Sequence, residues 1–219
     1  MKVIKPITFQ EAQLISTSAT EVVSAYNSAT TYAAGDTVQY GTRLYISITS
    51  GNHNNQPDLH PEHWSDYSPD NRHAMFDLQV NTQTSASSPL VVVTQPGTVF
   101  NSIAYLNLVG TSINVTVLDD IAGTEVYNET ISLDDTLIID WYTYFFEPYE
   151  LRTEVILTNI PPYGNGVITT TLTGGGTVKI GNMTYGSIYT IGTTQYGANV
   201  GIRDFSLKTT DEFGVTTFT

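Results

Sequence analysis

The stretch Val167-Ile168-Thr169-Thr170-Thr171-Leu172-Thr173-Gly174-Gly175-Gly176-Thr177-Val178-Lys179-Ile180-Gly181-Asn182-Met183 decides the fold class. Two runs of β-branched residues flank a run of glycines. Branched side chains fit a pleated, half-buried surface, and glycine supplies the backbone freedom of a tight turn. The segment reads as strand, hairpin turn, strand. Working outward, the same texture recurs every eight to twelve residues or so. Strands are expected at 90–93, 103–109, 113–118, 124–133, 136–146, 154–158 and 201–208, punctuated by Gly110, Asp119-Asp120, Asp134-Asp135 and Pro161-Pro162. That spacing predicts an antiparallel β-sandwich of jelly-roll type.

Composition agrees. Threonine supplies 34 of 219 residues, against three methionines, and only 13% of the chain is charged. Eight Lys and Arg face 21 Asp and Glu, a formal charge of −13. A nucleic-acid partner is excluded, because affinity for phosphates is gained by neutralising them with cations. Attachment to an anionic membrane through a basic patch falls with it. No apolar run approaches the roughly 18 residues of a spanning helix, so membrane insertion is not expected. Residues 1–6 lack the apolar core of a signal peptide, which predicts synthesis in the cytoplasm. Cysteine is absent, removing disulfides, thiolate chemistry and Cys-based metal sites.

Residues 1–25 read as an N-terminal arm. Thr8 and Glu11 have capping-box spacing and predict one short helix through Ala12, Leu14 and Ile15. From 26 to 69 the aromatics stand singly among Gly, Asn and Pro. Thr37-Val38-Gln39-Tyr40 and Leu44-Tyr45-Ile46-Ser47-Ile48 alternate across Gly41 and predict a hairpin in a small β module. Residues 70–88 read as a linker, with the polar run 81–88 as the boundary to a sandwich domain at 89–219.

Few residues invite chemistry. His60 and His63 are spaced i, i+3 but lie in an Asn/Pro-rich loop without a third partner, so neither metal nor cofactor is expected. Asp140 and Glu147 bracket an aromatic run as in a sugar cleft, yet in a strand they face opposite ways. No nucleophile elbow occurs, and the glycine run lacks the Lys of a phosphate loop. No enzyme is expected.

Two sets of aromatics remain. Strand alternation and loop position place Tyr40, Trp64 and Tyr67 where a ring face could meet a glycan, while Tyr26, Tyr32 and Tyr45 fit the module's interior; the residues alone leave binding platform and mini-core both open. Trp141, Tyr142, Tyr144, Phe145 and Phe146 are more aromatic surface than one strand face can bury, so an interface with a neighbour is expected there. At the module junction, Asp70, Asn71, Arg72, Met75, Phe76 and Asp77 combine a cation, carboxylates and an apolar pair, which predicts an Arg72 ion pair to Asp77 or Asp70.

The residues Tyr26-Asn27, Thr31-Tyr32, Gly35-Asp36-Thr37-Val38, Leu44-Tyr45, Pro57 and Trp64 resemble the small chitin-binding-type carbohydrate-binding module (the 5/12-like type), with Tyr26 where that family carries Trp. Together with Asp70-Asn71-Arg72-His73-Ala74-Met75-Phe76-Asp77, Asp140-Trp141-Tyr142, Ile160-Pro161-Pro162-Tyr163, Tyr196-Gly197, Asp204-Phe205-Ser206 and Asp211-Glu212-Phe213-Gly214, they resemble virion proteins of tailed bacteriophages and prophages. That resemblance implies a non-enzymatic structural protein of the virion tail, at its tip or baseplate. Its partners would be other virion proteins in a homo-oligomeric or ring-like assembly. The alternative is a receptor-binding module for host-surface polysaccharide.

Overall fold

The computed structural model describes residues 2–136, 139–146, 150–192, 208–210 and 216–218. Residues Val3–Tyr189 form one compact unit; Met1–Lys2 and Thr190–Thr219 form a second. The strands of the first unit are β1 (Lys2–Pro6), β2 (Leu14–Thr17), β3 (Thr31–Tyr32), β4 (Thr37–Tyr40), β5 (Arg43–Ser47), β6 (Asn52–His53), β7 (Trp64–Pro69), β8 (Thr84–Ser87), β9 (Leu90–Thr94), β10 (Ser102–Val109), β11 (Ser112–Leu118), β12 (Glu125–Ser132), β13 (Glu154–Leu157), β14 (Val167–Thr173) and β15 (Thr177–Thr190). A short helix, α1 (Trp141–Phe146), lies between β12 and β13. In the second unit β16 (Lys208–Thr210) pairs antiparallel with β17 (Thr216–Phe218). The protein is mainly β and antiparallel, as its sequence predicts.

Two five-stranded sheets make the sandwich. One runs β1-β15-β10-β13, with β8 also on β15; the other runs β12-β11-β14-β9-β2. Their inward residues follow the period of two: Ile113, Val115 and Val117 on β11, Ile168 and Leu172 on β14, and Ile103 and Tyr105 on β10 are buried and form one core. One polar contact inside that core joins the Tyr105 hydroxyl and Thr170 Oγ1 at 2.6 Å, so both buried oxygens are satisfied.

Strands β9 to β12 and β14 fall where the sequence predicts them, but four expectations need correction. The turn Gly174–Gly176 is no hairpin, because β14 and β15 belong to opposite sheets; it carries the chain across the sandwich. The arm is not free: β1 adds to β15 and β2 to β9, so the N-terminus edges both sheets. Its helix is a 3-10 turn over Glu11–Gln13, capped by Gln10 and Gln13 rather than by Thr8 and Glu11. The polar run 81–88 is no boundary, since Thr84–Ser87 pairs with Thr177–Ile180 of β15.

Of the strand expected at 136–146, the described residues Trp141–Phe146 form a helix instead. Backbone bonds Asp135 N–H to Glu150 O and Arg152 N–H to Leu133 O close this excursion at its base, and its aromatic run coils into α1. The strand expected at 201–208 lies outside the described residues, apart from Lys208.

The 14-residue β15 receives β10 on one side and both β8 and β1 on the other. This packing needs glycine. A Cβ on Gly186 would sit 2.0 Å from the carbonyl oxygen of Lys5, and one on Gly181 would meet Val80 O at 2.7 Å and Asn107 Cβ at 2.6 Å. We predict that Gly186→Ala, by forcing β1 away, costs about 1–3 kcal/mol in chemical denaturation. Gly175→Ala, where a Cβ meets nothing within 4 Å, leaves stability nearly unchanged. Equal losses in the two variants would contradict the close approach of β1.

Candidate functional site

The sequence Tyr40-Gly41-Thr42-Arg43 makes a two-residue turn between β4 and β5, with Gly41 at φ +61°. That turn sets the register Tyr40 opposite Arg43 and Val38 opposite Tyr45; β7 then adds Asp66 opposite Tyr45 and Trp64 opposite Ser47. Cross-strand partners share a face. Val38, Tyr40, Arg43, Tyr45, Trp64 and Asp66 therefore point to one side of this three-stranded sheet. The inner end of the face is closed: Tyr32, Val38 and Trp64 form a core separate from that of the sandwich, with Tyr26 and Tyr45 packed against it. Trp64 is 2% exposed, and its indole N–H donates to Asn55 O at 2.8 Å.

The outer end is open. Tyr26, Tyr40 and Tyr45 are half-buried, and Tyr26 packs edge-on against Tyr40 with centroids 6.0 Å apart and planes at 84°. Arg43 Nε lies 2.7 Å from both carboxylate oxygens of Asp66. Desolvation raises the Tyr26 hydroxyl above its ordinary value of 10.0, helped by Tyr32 and Tyr40. Desolvation likewise raises Tyr45, with Asp66, Asp58 and Tyr40 adding to the rise and Arg43 opposing it. The Tyr26 and Tyr45 hydroxyls are thus protonated throughout the neutral range, and each can both donate and accept hydrogen bonds.

Three residues were expected to offer ring faces, and the structure separates them. Tyr40 lies in the row. Trp64 does not serve: it is buried in the small core, edge-on to Tyr26 and Tyr32, and offers no open ring face. Tyr67 is 64% exposed and sits at the irregularity where β7 slips against β5, outside the ring contacts of the row. Tyr26 and Tyr45, expected inside, are half-open, and Arg43 and Asp66 were not singled out at all. The hairpin register carries the missing signal, since a two-residue turn after Tyr40 places Arg43 beside it.

The junction needs a larger correction. Arg72 is exposed and takes part in no ion pair among the described residues. Its expected partner is taken by the neighbouring histidine: buried Asp70 accepts from His73 N–H at 3.0 Å, and its Oδ1 lies 2.5 Å from His73 Nδ1. Asp70 N–H in turn donates to Thr42 O at 3.0 Å. Asn71 reaches the sandwich, where its side-chain amide donates to Thr20 O and Ser85 O and accepts from Ser85 N–H, each at 2.8 Å. Its backbone N–H donates to Glu21 Oε2 at 2.7 Å. Met75 and Phe76 are buried in the sandwich core, and Phe76 stacks on Phe9 at 4.0 Å with planes 2° apart. Asp77 accepts from Gln79 N–H at 2.7 Å and from the Thr82 hydroxyl.

Trp141, Tyr142, Tyr144, Phe145 and Phe146 lie on α1 and are 60–79% exposed. His60 bonds Glu62 and His63 bonds Thr49, and among the described residues no group of three or more acidic, His or Cys side chains could hold a metal. No described helix is long and apolar enough to cross a membrane.

No family model and no curated protein matches this chain. Solved structures similar to it include chitosan-binding module 1 from a chitosanase/glucanase of Paenibacillus sp. IK-5, at 12% identity and TM-score 0.34 over 54% of this chain and 84% of that one. The family 32 carbohydrate-binding module of C. perfringens NanJ, in complex with galactose, is similar at 16% identity and TM-score 0.37, covering 56% and 85%. The lectin domain of lectinolysin, complexed with Lewis B antigen, matches at 12% and 0.35, covering 52% and 82%. These scores lie below the level at which a likeness bears on ligand or partner.

The tyrosine row makes a prediction in alkali. In the folded protein Tyr26 and Tyr45 ionise later than a free tyrosine, so the stability they contribute is fully present below pH 10.0 and is lost as pH rises through their folded pKa. A tyrosinate absorbance titration of Tyr26→Phe and of Tyr45→Phe each loses one late-ionising group. Loss of an ordinary one would place these rings in open solvent.

Proposed function

We propose that this chain is a non-enzymatic glycan-binding component of a tailed-phage virion, with Tyr26, Tyr40, Tyr45, Arg43 and Asp66 forming the sugar face. The observation that carries the reading is the half-open tyrosine row beside an ion pair, on a small sheet whose one tryptophan is spent on its own core. Tyrosine rings offer apolar faces to the C–H side of a pyranose while keeping a polar tip. The pair is the complement: Asp66 keeps lone pairs for sugar hydroxyls, and the guanidinium has N–H groups beyond the Nε that Asp66 occupies. Arg43 and Asp66 hold each other in place before any ligand arrives, which lowers the ordering cost of binding. The virion tail as the setting rests on the sequence resemblance alone, and synthesis in the host cytoplasm on the character of residues 1–6.

A second reading, an assembly component that docks within the tail, is favoured by α1, whose five aromatics are far more exposed than a solitary folded unit normally leaves them.

Titration of the whole chain with chitin oligosaccharides, after a glycan array, separates the two. Under the glycan reading Tyr40→Ala and Arg43→Ala each weaken binding by about tenfold or more, which is about 1.4 kcal/mol. Tyr67→Ala, outside the row, stays within about twofold. Absence of binding to any glycan leaves the docking reading; binding that Tyr40→Ala and Arg43→Ala do not affect puts the sugar elsewhere on the surface.

A further inference from the structure

Strands β12 and β13 are the outer strands of the two sheets on one margin of the sandwich, and α1 belongs to the excursion that joins them. At the other margin β1 and β8 share the outer side of β15. Beside them is a recess of about 190 Å³ whose walls include Ile7, Phe9, Phe76, Leu78, Met183 and Tyr185. It is walled mainly by apolar groups, and the parallel rings of Phe9 and Phe76 form one side. A cavity of about 150 Å³ takes a benzene ring, so this one has room for a phenyl side chain. Leu78 stands at its lip, 71% exposed at φ +64°.

Charge divides in the same way. The described residues of 134–154 carry five carboxylates (Asp134, Asp135, Asp140, Glu150 and Glu154) and one cation, Arg152, a net of −4 around α1. Lys5, on the strand leading into the recess, and Arg72, four residues before Phe76, take part in no ion pair among the described residues. The recess wall also carries one carboxylate, Asp77, so its margin, with Lys5 and Arg72, is net +1 against −4 around α1; the α1 face repels its own copy and is attracted to that margin.

We propose that the two margins are partners: Phe145 of one copy seats in the recess of a second copy, against the Phe9–Phe76 stack and the Met183 thioether, while the acidic surround of α1 meets Lys5 and Arg72. Sulfur and aromatic edges attract, and an aromatic anchor in a pocket is the usual centre of binding energy in an interface. The knob and the recess lie on different margins, so one copy cannot satisfy itself. The contact is heterologous, and repetition gives a ring if the rotation closes or a filament if it does not. This inference stands independently of the sugar face.

Sedimentation of the full chain up to about 1 mM tests it. The wild type is expected to associate beyond the dimer as concentration rises. Phe145→Ser removes the knob; Leu78→Glu puts a like charge at the lip. Both positions are exposed, so both variants are expected to fold, and each alone stays monomeric. Mixed in equal amounts they form a dimer that grows no further, because one functional knob meets one functional recess. A monomeric wild type at the highest concentration overturns the proposal, as does either variant associating like the wild type. A mixture that stays monomeric also overturns it, since the intact knob of Leu78→Glu and the intact recess of Phe145→Ser would then not fit each other; a contact between two α1 faces would instead show as self-association of Leu78→Glu alone.

Discussion

The contact on which the rest depends is the buried clasp at Asp70-Asn71-Arg72-His73. One carboxylate holds a backbone N–H and a ring nitrogen of the same turn, and the next side chain bonds into two segments of the sandwich. A buried carboxylate is costly unless its lone pairs are occupied. Here Asp70 is occupied by His73, and the turn it stabilises drives Met75 and Phe76 into the large core. The small sheet therefore has its own aromatic core and is still fastened to the sandwich at the point where its last strand ends.

Fastening matters because the small sheet is poor in apolar surface. Tyr32, Val38 and Trp64 are its buried hydrophobic cluster, with Tyr26 and Tyr45 at the edge. Such a core is marginal alone, since few side chains must offset the ordering of more than forty residues. Anchored at Asp70 and Asn71, it needs less of its own. That releases part of the aromatic set from packing, and the half-open row of Tyr26, Tyr40 and Tyr45 is what is released. A rigid mount also suits binding, because a preorganised face loses less freedom when it meets a ligand.

Much of the sandwich was legible in the sequence because its strands are buried on one face and obey a period of two: 113–118 and 167–173 could be placed from alternation alone. Pairing was harder. Gly174–Gly176 has the chemistry of a turn, but whether a turn returns to the same sheet or crosses to the other is set by packing, which no local pattern encodes. The run 141–146 misled for a related reason. A block of large apolar residues reads as a buried strand, whereas here the chain closes on itself and leaves the block outside. At the junction the residue types were right and the partner wrong. Arg72 looked like the cation for Asp70, yet the 3-10 turn that follows brings His73 back over the carboxylate and sends Arg72 into solvent. The sugar face was half legible: Tyr40 follows from alternation, but its companions follow from a cross-strand register.

The clasp can be tested by amide hydrogen exchange on the intact chain. The N–H groups of Asn71, His73, Met75 and Ser85 each donate to a side chain of the clasp or of the sandwich beside it. If the small sheet is fastened as described, these four amides exchange as slowly as those of β10 and β14 in the sandwich core. Exchange of all four at the rate of the exposed loop amides around Leu59, with β10 and β14 still protected, would show that the small sheet swings free and would contradict the account.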